Sequence, residues 1–161
     1  MIQIKREVRK ITIEEEKYNR CVEDIGTLLQ RTVRTMQILE RETIRTYGFT
    51  SSQCHMLLEL LRQPGLSMNE LSEHMHLEIS TVTRIMSILV RDGLVCRSRS
   101  FQDKRVVEAS LSEQGELVAK RLQAGIAAYY RDVIQLLPRG HVREVMQAVE
   151  FLVEALEKAK A

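Results

Sequence analysis

Little in this 161-residue sequence would interrupt a helix or staple a fold: it has two prolines, seven glycines, three cysteines and no tryptophan. Cys21, Cys54 and Cys96 are odd in number and far apart, with no Cys-x-x-Cys pair. That pattern argues against a disulfide framework or a zinc ribbon and reads as reduced thiols. No apolar run approaches the roughly 18 residues of a membrane span. The stretch Met1 to Lys10 is charged rather than a signal peptide, so the expected setting is cytoplasmic, without a membrane. A Gly-rich phosphate loop, Gly-x-Ser-x-Gly and His-Glu-x-x-His are all missing; no enzyme and no cofactor are expected. The histidines do not make a metal site either. Cys54 and His55 are adjacent and face different ways on a helix, His74-x-His76 lies at a helix end without a third ligand, and His141 stands apart.

What is present is ordinary for a soluble globular domain: 44% hydrophobic and 29% charged residues, enough for one real core. The formal net charge of +2 is small, but its distribution is uneven. Between Arg91 and Arg105 lie Arg91, Arg97, Arg99, Lys104 and Arg105 against Asp92 and Asp103, a local +3, so the remainder sums to −1. A basic cluster of this kind, rather than the total, marks a candidate nucleic-acid surface.

Hydrophobic periodicity gives about six helices. The first opens at a Thr12–Glu15 capping box and carries Tyr18, Cys21, Val22, Ile25, Leu28, Leu29, Thr32, Val33, Met36, Leu39 and Ile44 on one face as far as Tyr47-Gly48. Gly26 within it costs on the order of 1 kcal/mol relative to Ala. Thr50-Ser51-Ser52-Gln53 caps a second helix with Cys54, Leu57, Leu58 and Leu61 inward, stopped by Pro64-Gly65. Ser67-Met68-Asn69-Glu70 caps a short third through Met75. After a turn at 76–78, Ile79, Val82, Ile85, Met86 and Leu89 mark the buried face of a fourth, ended by Gly93. Strands over 94–99 and 105–111, joined by the polar turn 100–104, form a hairpin, with Cys96 alternating inward. Ser112 caps a fifth helix to about Leu137. Beyond Pro138-Arg139-Gly140 a sixth has Val142, Val145, Val149, Leu152, Val153 and Leu156 on one side.

The expected architecture is mainly α, a winged helix-turn-helix between long helical ends. The first, fifth and sixth helices have more apolar surface than the compact middle can cover, which predicts a homodimer seam. The domain reading is therefore one domain over 1–161. Dimerisation helices occupy 12–47 and 113–161, and a winged helix-turn-helix lobe occupies 48–112.

The segments Leu71-Ser72-Glu73-His74-Met75, Ser80-Thr81-Val82-Thr83-Arg84, Leu89-Val90-Arg91-Asp92-Gly93-Leu94-Val95, Asp103-Lys104-Arg105 and Leu111-Ser112-Glu113-Gln114-Gly115 closely resemble the MarR family of transcriptional regulators. The match spans about two thirds of the chain in order and at the expected spacing. The resemblance implies a dimer whose fourth helix enters the major groove and whose wing tip reaches the minor groove, with DNA affinity altered by a small ligand or by thiol oxidation.

The residues support that division. With the apolar positions of the fourth helix inward, Ser80, Thr81, Thr83, Arg84, Ser87 and Arg91 face outward. Hydroxyls and a guanidinium serve phosphates and base edges, and the helix N-terminus favours phosphate. In the wing, Arg97 and Arg99 share a strand face suited to backbone contact. Arg105 gains from the negative potential of a narrow minor groove, and the Asp103 carboxylate is expected to hold Arg105 or another wing arginine by a directed ion pair. A turn also favours Asp for purely local reasons. Lys104 keeps charge but lacks the arginine fork.

For sensing, the family resemblance places Tyr18, Tyr47, Phe49, Tyr129 and Tyr130 where dimer helices meet the DNA-binding lobe; some of them are candidates to line an effector pocket, with ordinary core or interface packing as the alternative. It also marks Cys21 as a candidate redox residue, although that cysteine's place on the apolar stripe predicts an inert core thiol. The resulting expectation is a homodimeric repressor on a pseudo-palindromic DNA operator with half-sites about 10 base pairs apart. It would be relieved by a small-molecule effector or an oxidant. The rivals of the same fold are a metal or thiol-redox sensor and a winged-helix protein-interaction module. The interaction module would be expected to lose basic residues at Arg84, Arg99 or Arg105; all three are kept.

Overall fold

The computed structural model describes residues 2–101 and 103–159, with side chains from residue 14 onward. Among them are six helices and three short strands: α1 (Ile2–Thr46), α2 (Ser51–Arg62), β1 (Leu66–Ser67), α3 (Met68–Met75), α4 (Ile79–Arg91), β2 (Val95–Arg99), β3 (Val107–Leu111), α5 (Glu113–Gln135) and α6 (Val142–Lys158). The chain divides into two compact units, Met1–Glu42 and Thr43–Ala161.

The first unit is the greater part of α1. The helix begins at Ile2, well before the Thr12 capping box expected to open it. No Gly or Pro precedes Thr12 to break the chain, and once a helix is nucleated each further residue adds a hydrogen bond. The side chain of Thr12 lies outside the described residues. Tyr18, Val22, Ile25, Leu28, Val33, Met36 and Leu39 are exposed. So is Cys21, which corrects its assignment to a core: the stripe it belongs to is itself uncovered in the single chain.

The second unit holds the core, built from Ile44, Cys54, Met56, Leu57, Leu60, Leu66, Leu71, Val82, Ile85, Met86, Leu89, Leu94, Val95, Ala109, Ala119 and Leu122. Local capping sets its helix starts. Thr50 N donates to Gln53 Oε1 at 2.9 Å while Gln53 N donates to Thr50 Oγ1 at 3.3 Å. Ser67 and Glu70 repeat the exchange at 2.7 and 3.2 Å. The Ser67 amide, then its hydroxyl, holds the Glu70 carboxyl below its ordinary range. Gly115 N donates to Ser112 Oγ at 3.0 Å at the start of α5. Each box satisfies amides that would otherwise be orphaned at a helix start.

The buried face of α2 is Cys54, Met56, Leu57 and Leu60, not the expected set with Leu58 and Leu61, which are only partly covered. This helix is packed by α3, α4, α5 and β3, so a wider arc of it is enclosed than a single stripe provides. The sheet has the antiparallel order β1-β3-β2. Leu66 pairs with Ala109, and β2 pairs with β3 from Val95↔Leu111 to Arg99↔Val107. The two-residue β1 is an addition to the expected hairpin; it is too short to show a period of two. α6 buries no residue. Among the described residues no helix is long and apolar enough to cross a membrane.

Candidate nucleic-acid interface

The turn between α3 and α4 is made by His76, left-handed at φ 50°, whose amide donates to the Glu73 and Ser72 carbonyls. It delivers α4 with Val82, Ile85, Met86 and Leu89 buried. Ile79, expected inward, is 50% exposed; as the first residue of the helix it precedes the turns that pack. On the opposite face Ser80, Thr83, Arg84, Ser87 and Arg91 are exposed, and Thr81 is half-buried.

Two of these side chains are already engaged. Ser87 Oγ donates to the Thr83 carbonyl at 2.8 Å and accepts from Arg97 Nη2 at 3.4 Å. Arg91 Nε donates to Asp92 Oδ1 at 3.0 Å. The Ser87–Arg97 contact ties α4 to β2, a link that strand alternation alone does not reveal. Glu78, the N-cap of α4, makes no side-chain cap hydrogen bond. A carboxylate residue at the N-cap works against the helix dipole's pull on an external anion.

Gly93 ends α4 at φ +72°. The wing is then set by close packing at its root. A Cβ on Gly115 would lie 1.9 Å from the Leu94 carbonyl oxygen, so only glycine lets α5 start there. Ser112 supports the same junction, its hydroxyl donating to Gly93 O at 2.6 Å and its amide to Leu94 O at 3.0 Å. The motif Leu111 to Gly115 is thus a clamp between the end of α4 and the wing as well as a cap.

Beyond Val95 every residue of β2 is exposed, Cys96 included. This corrects the inward assignment of Cys96: past its root the wing leaves the core, and alternation no longer separates an inside from an outside. The tip also differs from expectation. Strand β3 begins at Val107 rather than Arg105, because Ser100 N donates to Val106 O and Val106 N donates to Asp103 O, both at 2.9 Å, closing the loop early. Asp103 Oδ1 accepts the Arg105 backbone amide at 2.9 Å. Among the described residues no ion pair joins that carboxylate to a guanidinium. The local turn chemistry of Asp prevails over the expected aiming of Arg105, and Arg97, Arg99, Lys104 and Arg105 are all exposed.

A separate cleft of about 210 Å³ is lined by Thr46, Tyr47, Phe49, Val118, Arg121 and Leu122. The Arg121 guanidinium carbon lies 5.6 Å from the Tyr47 ring centre, within cation–π reach. A Cβ on Gly125 would lie 2.2 Å from Tyr47 Oη, so the tyrosine occupies space that glycine leaves on α5. A glycine inside a strongly helical pattern was the available signal. Of the five aromatics, some of them expected to line a pocket, two do so. Tyr47 and Phe49 line this cleft; Tyr129 and Tyr130 pack on each other at 5.1 Å and are not in its lining; Tyr18 belongs to the first unit and is exposed.

Among the described residues no three His, Cys, Asp or Glu side chains come together to hold a metal. His74 Nδ1 instead lies 2.6 Å from Glu59 Oε1, and Arg62 Nη2 also donates to that oxygen. Burial pushes the Glu59 carboxyl up, but the hydrogen bonds and charges of Arg62 and His74 outweigh it and hold the group below its ordinary range.

Comparison with known proteins adds the following. The MarR family model matches residues 49–107. The HTH-type transcriptional repressor MdtR of Bacillus subtilis (strain 168) is 25% identical over 139 residues, 86% of this chain and 90% of that repressor. A MarR transcriptional regulator from Methanosarcina mazei Go1 superposes with a TM-score of 0.69 at 26% identity, over 85% of this chain and 99% of that one. Streptococcus pneumoniae FabT, solved in complex with DNA, shares the fold with a TM-score of 0.73 at 21% identity, over 85% and 98% of the two chains.

Proposed function

The chain belongs to the MarR family of winged helix-turn-helix transcriptional regulators, and on that premise we propose that it represses transcription as a homodimer bound to a pseudo-palindromic operator. The observation that carries this reading is the joining of two cationic elements into one lobe. The exposed face of α4, with Arg84 at its centre, is tied through Ser87 and Arg97 to a wing bearing Arg99, Lys104 and Arg105. Phosphate contacts from Arg97 and Arg99 position the lobe, Ser80 to Arg84 read base edges, and the tip enters the minor groove. Asp103 shapes that tip through its turn.

The self-association rests on α1, the end of α5 and α6, which expose Leu28, Leu136, Val149 and Phe151 among other large apolar side chains. A second copy that covers these side chains would set two recognition helices one DNA turn apart, about 10 base pairs. A small effector would enter the Tyr47–Phe49–Arg121 cleft, a mostly polar site in which two aromatic side chains stand near one guanidinium. An oxidant signal would act at Cys21, exposed in the single chain and on the α1 stripe that the second copy would cover, so that its oxidation would disturb the seam. Either would work by unequal affinity for DNA-competent and DNA-incompetent arrangements. The reading is of a regulator, not an enzyme, and of a protein working in the cytoplasm.

Arg84→Ala and Arg105→Ala test it by titration on a duplex selected in vitro with the purified chain. Each should weaken binding. Arg97→Ala, which removes a phosphate contact, should also flatten the slope of log affinity against log salt by about 0.9, and Arg84→Ala and Arg105→Ala, on base edges and in the groove, should flatten it by less. Unchanged affinity in the Arg84→Ala, Arg105→Ala double variant would overturn the interface.

A further inference from the structure

Phe101 is 100% exposed. It stands at the start of the wing-tip loop, directly after Ser100, a buried polar residue whose amide pairs with Val106 O. The loop is not slack: the Val106–Asp103 and Arg105–Asp103 hydrogen bonds, each 2.9 Å, close it on itself. Leaving a whole phenyl ring in water forgoes the burial that such rings ordinarily seek. The ring therefore contributes no packing to the fold, and its position calls for an external partner.

We propose that Phe101 is an apolar wedge that enters the minor groove beside the wing cations and reads DNA by deforming it. This rests on the DNA-binding reading above. The surroundings select the occupant. Arg99, Lys104 and Arg105 are exposed on the same tip, and the tip's carboxylate, Asp103, is turned back onto the loop's own backbone. An anionic partner is favoured over an acid-binding or neutral protein surface. A minor groove offers both components the tip needs: negative potential for the guanidinium and ammonium groups, and sugar edges and base-step faces for the ring. Apolar side chains inserted there unstack a step and kink the duplex toward the major groove, and pyrimidine–purine steps yield most readily. The tip then does two separate things. Its cations contribute affinity without regard to sequence, and Phe101 contributes a preference for a deformable step at a place where no base edge is hydrogen-bonded.

The test uses the full chain and a duplex selected in vitro by that chain, with 2-aminopurine at the wing-facing step and dyes at its ends. Phe101→Ala should lose roughly tenfold in affinity. It should also lose the 2-aminopurine fluorescence rise and the end-to-end shortening of the bent duplex, and its preference for a pyrimidine–purine step over an A-tract at that position. The salt slope and thermal melting should stay as in wild type. Phe101→Leu, which keeps an apolar wedge, should recover part of each signal. Wild-type affinity, bend and step preference in Phe101→Ala would overturn the wedge while leaving DNA binding intact. Failure of the wild-type chain to select or bind any duplex would overturn the underlying reading as well.

Discussion

The lobe from α2 to β3 and the terminal helices use apolar residues in opposite ways. In the lobe Met56, Leu57, Leu60, Leu71, Val82, Met86 and Leu89 are buried completely or nearly so within the single chain. In α6, Val142, Val145, Met146, Val149, Phe151, Val153 and Leu156 are exposed and no residue is buried. Both regions have helical apolar periodicity, so periodicity alone does not tell a residue that completes the chain's own core from one left uncovered in the single chain. What separates them is closure. The lobe's elements surround α2 on several sides, whereas α6 offers its stripe outward. The lobe's stability should therefore be a property of one chain, and that of the terminal helices a property of chain concentration.

A matched pair of substitutions breaks or sharpens that contrast. Val149→Asp should leave the lobe's secondary structure intact but place a charge in the proposed seam, weakening self-association by about 3–5 kcal/mol, the scale of an uncompensated buried charge. Sedimentation should show monomer, and operator affinity should fall with it. Leu57→Ala should cost about 2–5 kcal/mol of unfolding free energy through lost transfer and a residual cavity, and its loss should not change with protein concentration. A Val149→Asp chain that sediments as a dimer would erase the distinction.

Gly125 tests the contrast from within the second unit, at a place where α5 meets the residues after α1. Gly125→Ala should displace the Tyr47 ring, whose Oη lies where the new methyl would go, at a cost of about 1–3 kcal/mol of overpacking. In a Tyr47→Ala background the sign should reverse, since alanine then gains only helix propensity, about 1 kcal/mol over glycine. The double-mutant cycle isolates the contact from the propensity. It also asks whether the cleft lined by Tyr47 and Arg121 keeps its shape when its wall is moved.

The pattern of what could be read without coordinates follows the same division between local and non-local causes. The boxes Thr50–Gln53 and Ser67–Glu70 and the Ser112 cap are contacts three residues apart, so their chemistry is written in adjacent letters, and the helix-turn-helix emerges at nearly its true bounds. The exposed face of α4 follows from one period. The partner of Asp103 does not, because it depends on where the tip closes, and Val106 closes it before Arg105 can join a strand. Cys96 misleads for a related reason: alternation assigns an inside only while the strand lies on a core. Gly115 against Leu94 and Gly125 against Tyr47 are contacts between distant segments, and a lone glycine carries only the hint that something approaches closely. The exposed stripe of α1 was legible as apolar, but its start was not, because nothing before Thr12 opposes a helix.

The smallest expected effect probes electrostatics inside the lobe. Glu59 on α2 receives His74 from α3 and Arg62 from its own helix, so its carboxyl is easier to ionise in the folded chain than in the unfolded one. A carboxyl held low in the fold stabilises it above the unfolded value of 4.5, and that contribution is lost as pH falls through the lower, folded value. Because Arg62 is largely exposed, solvent screens its share, and the whole should be about 1 kcal/mol or less. Urea midpoints of the wild type should thus decline on acidification below about pH 4.5 more steeply than those of Glu59→Gln, which has no charge to lose at that position. Equal slopes would mean that the α2–α3 contact is held by Leu57, Leu60 and Leu71 alone. The lobe would then owe its closure to apolar packing and none of it to charge. Because this pair joins the two helices that support α4, the same acid range should loosen DNA binding only as far as it loosens the lobe.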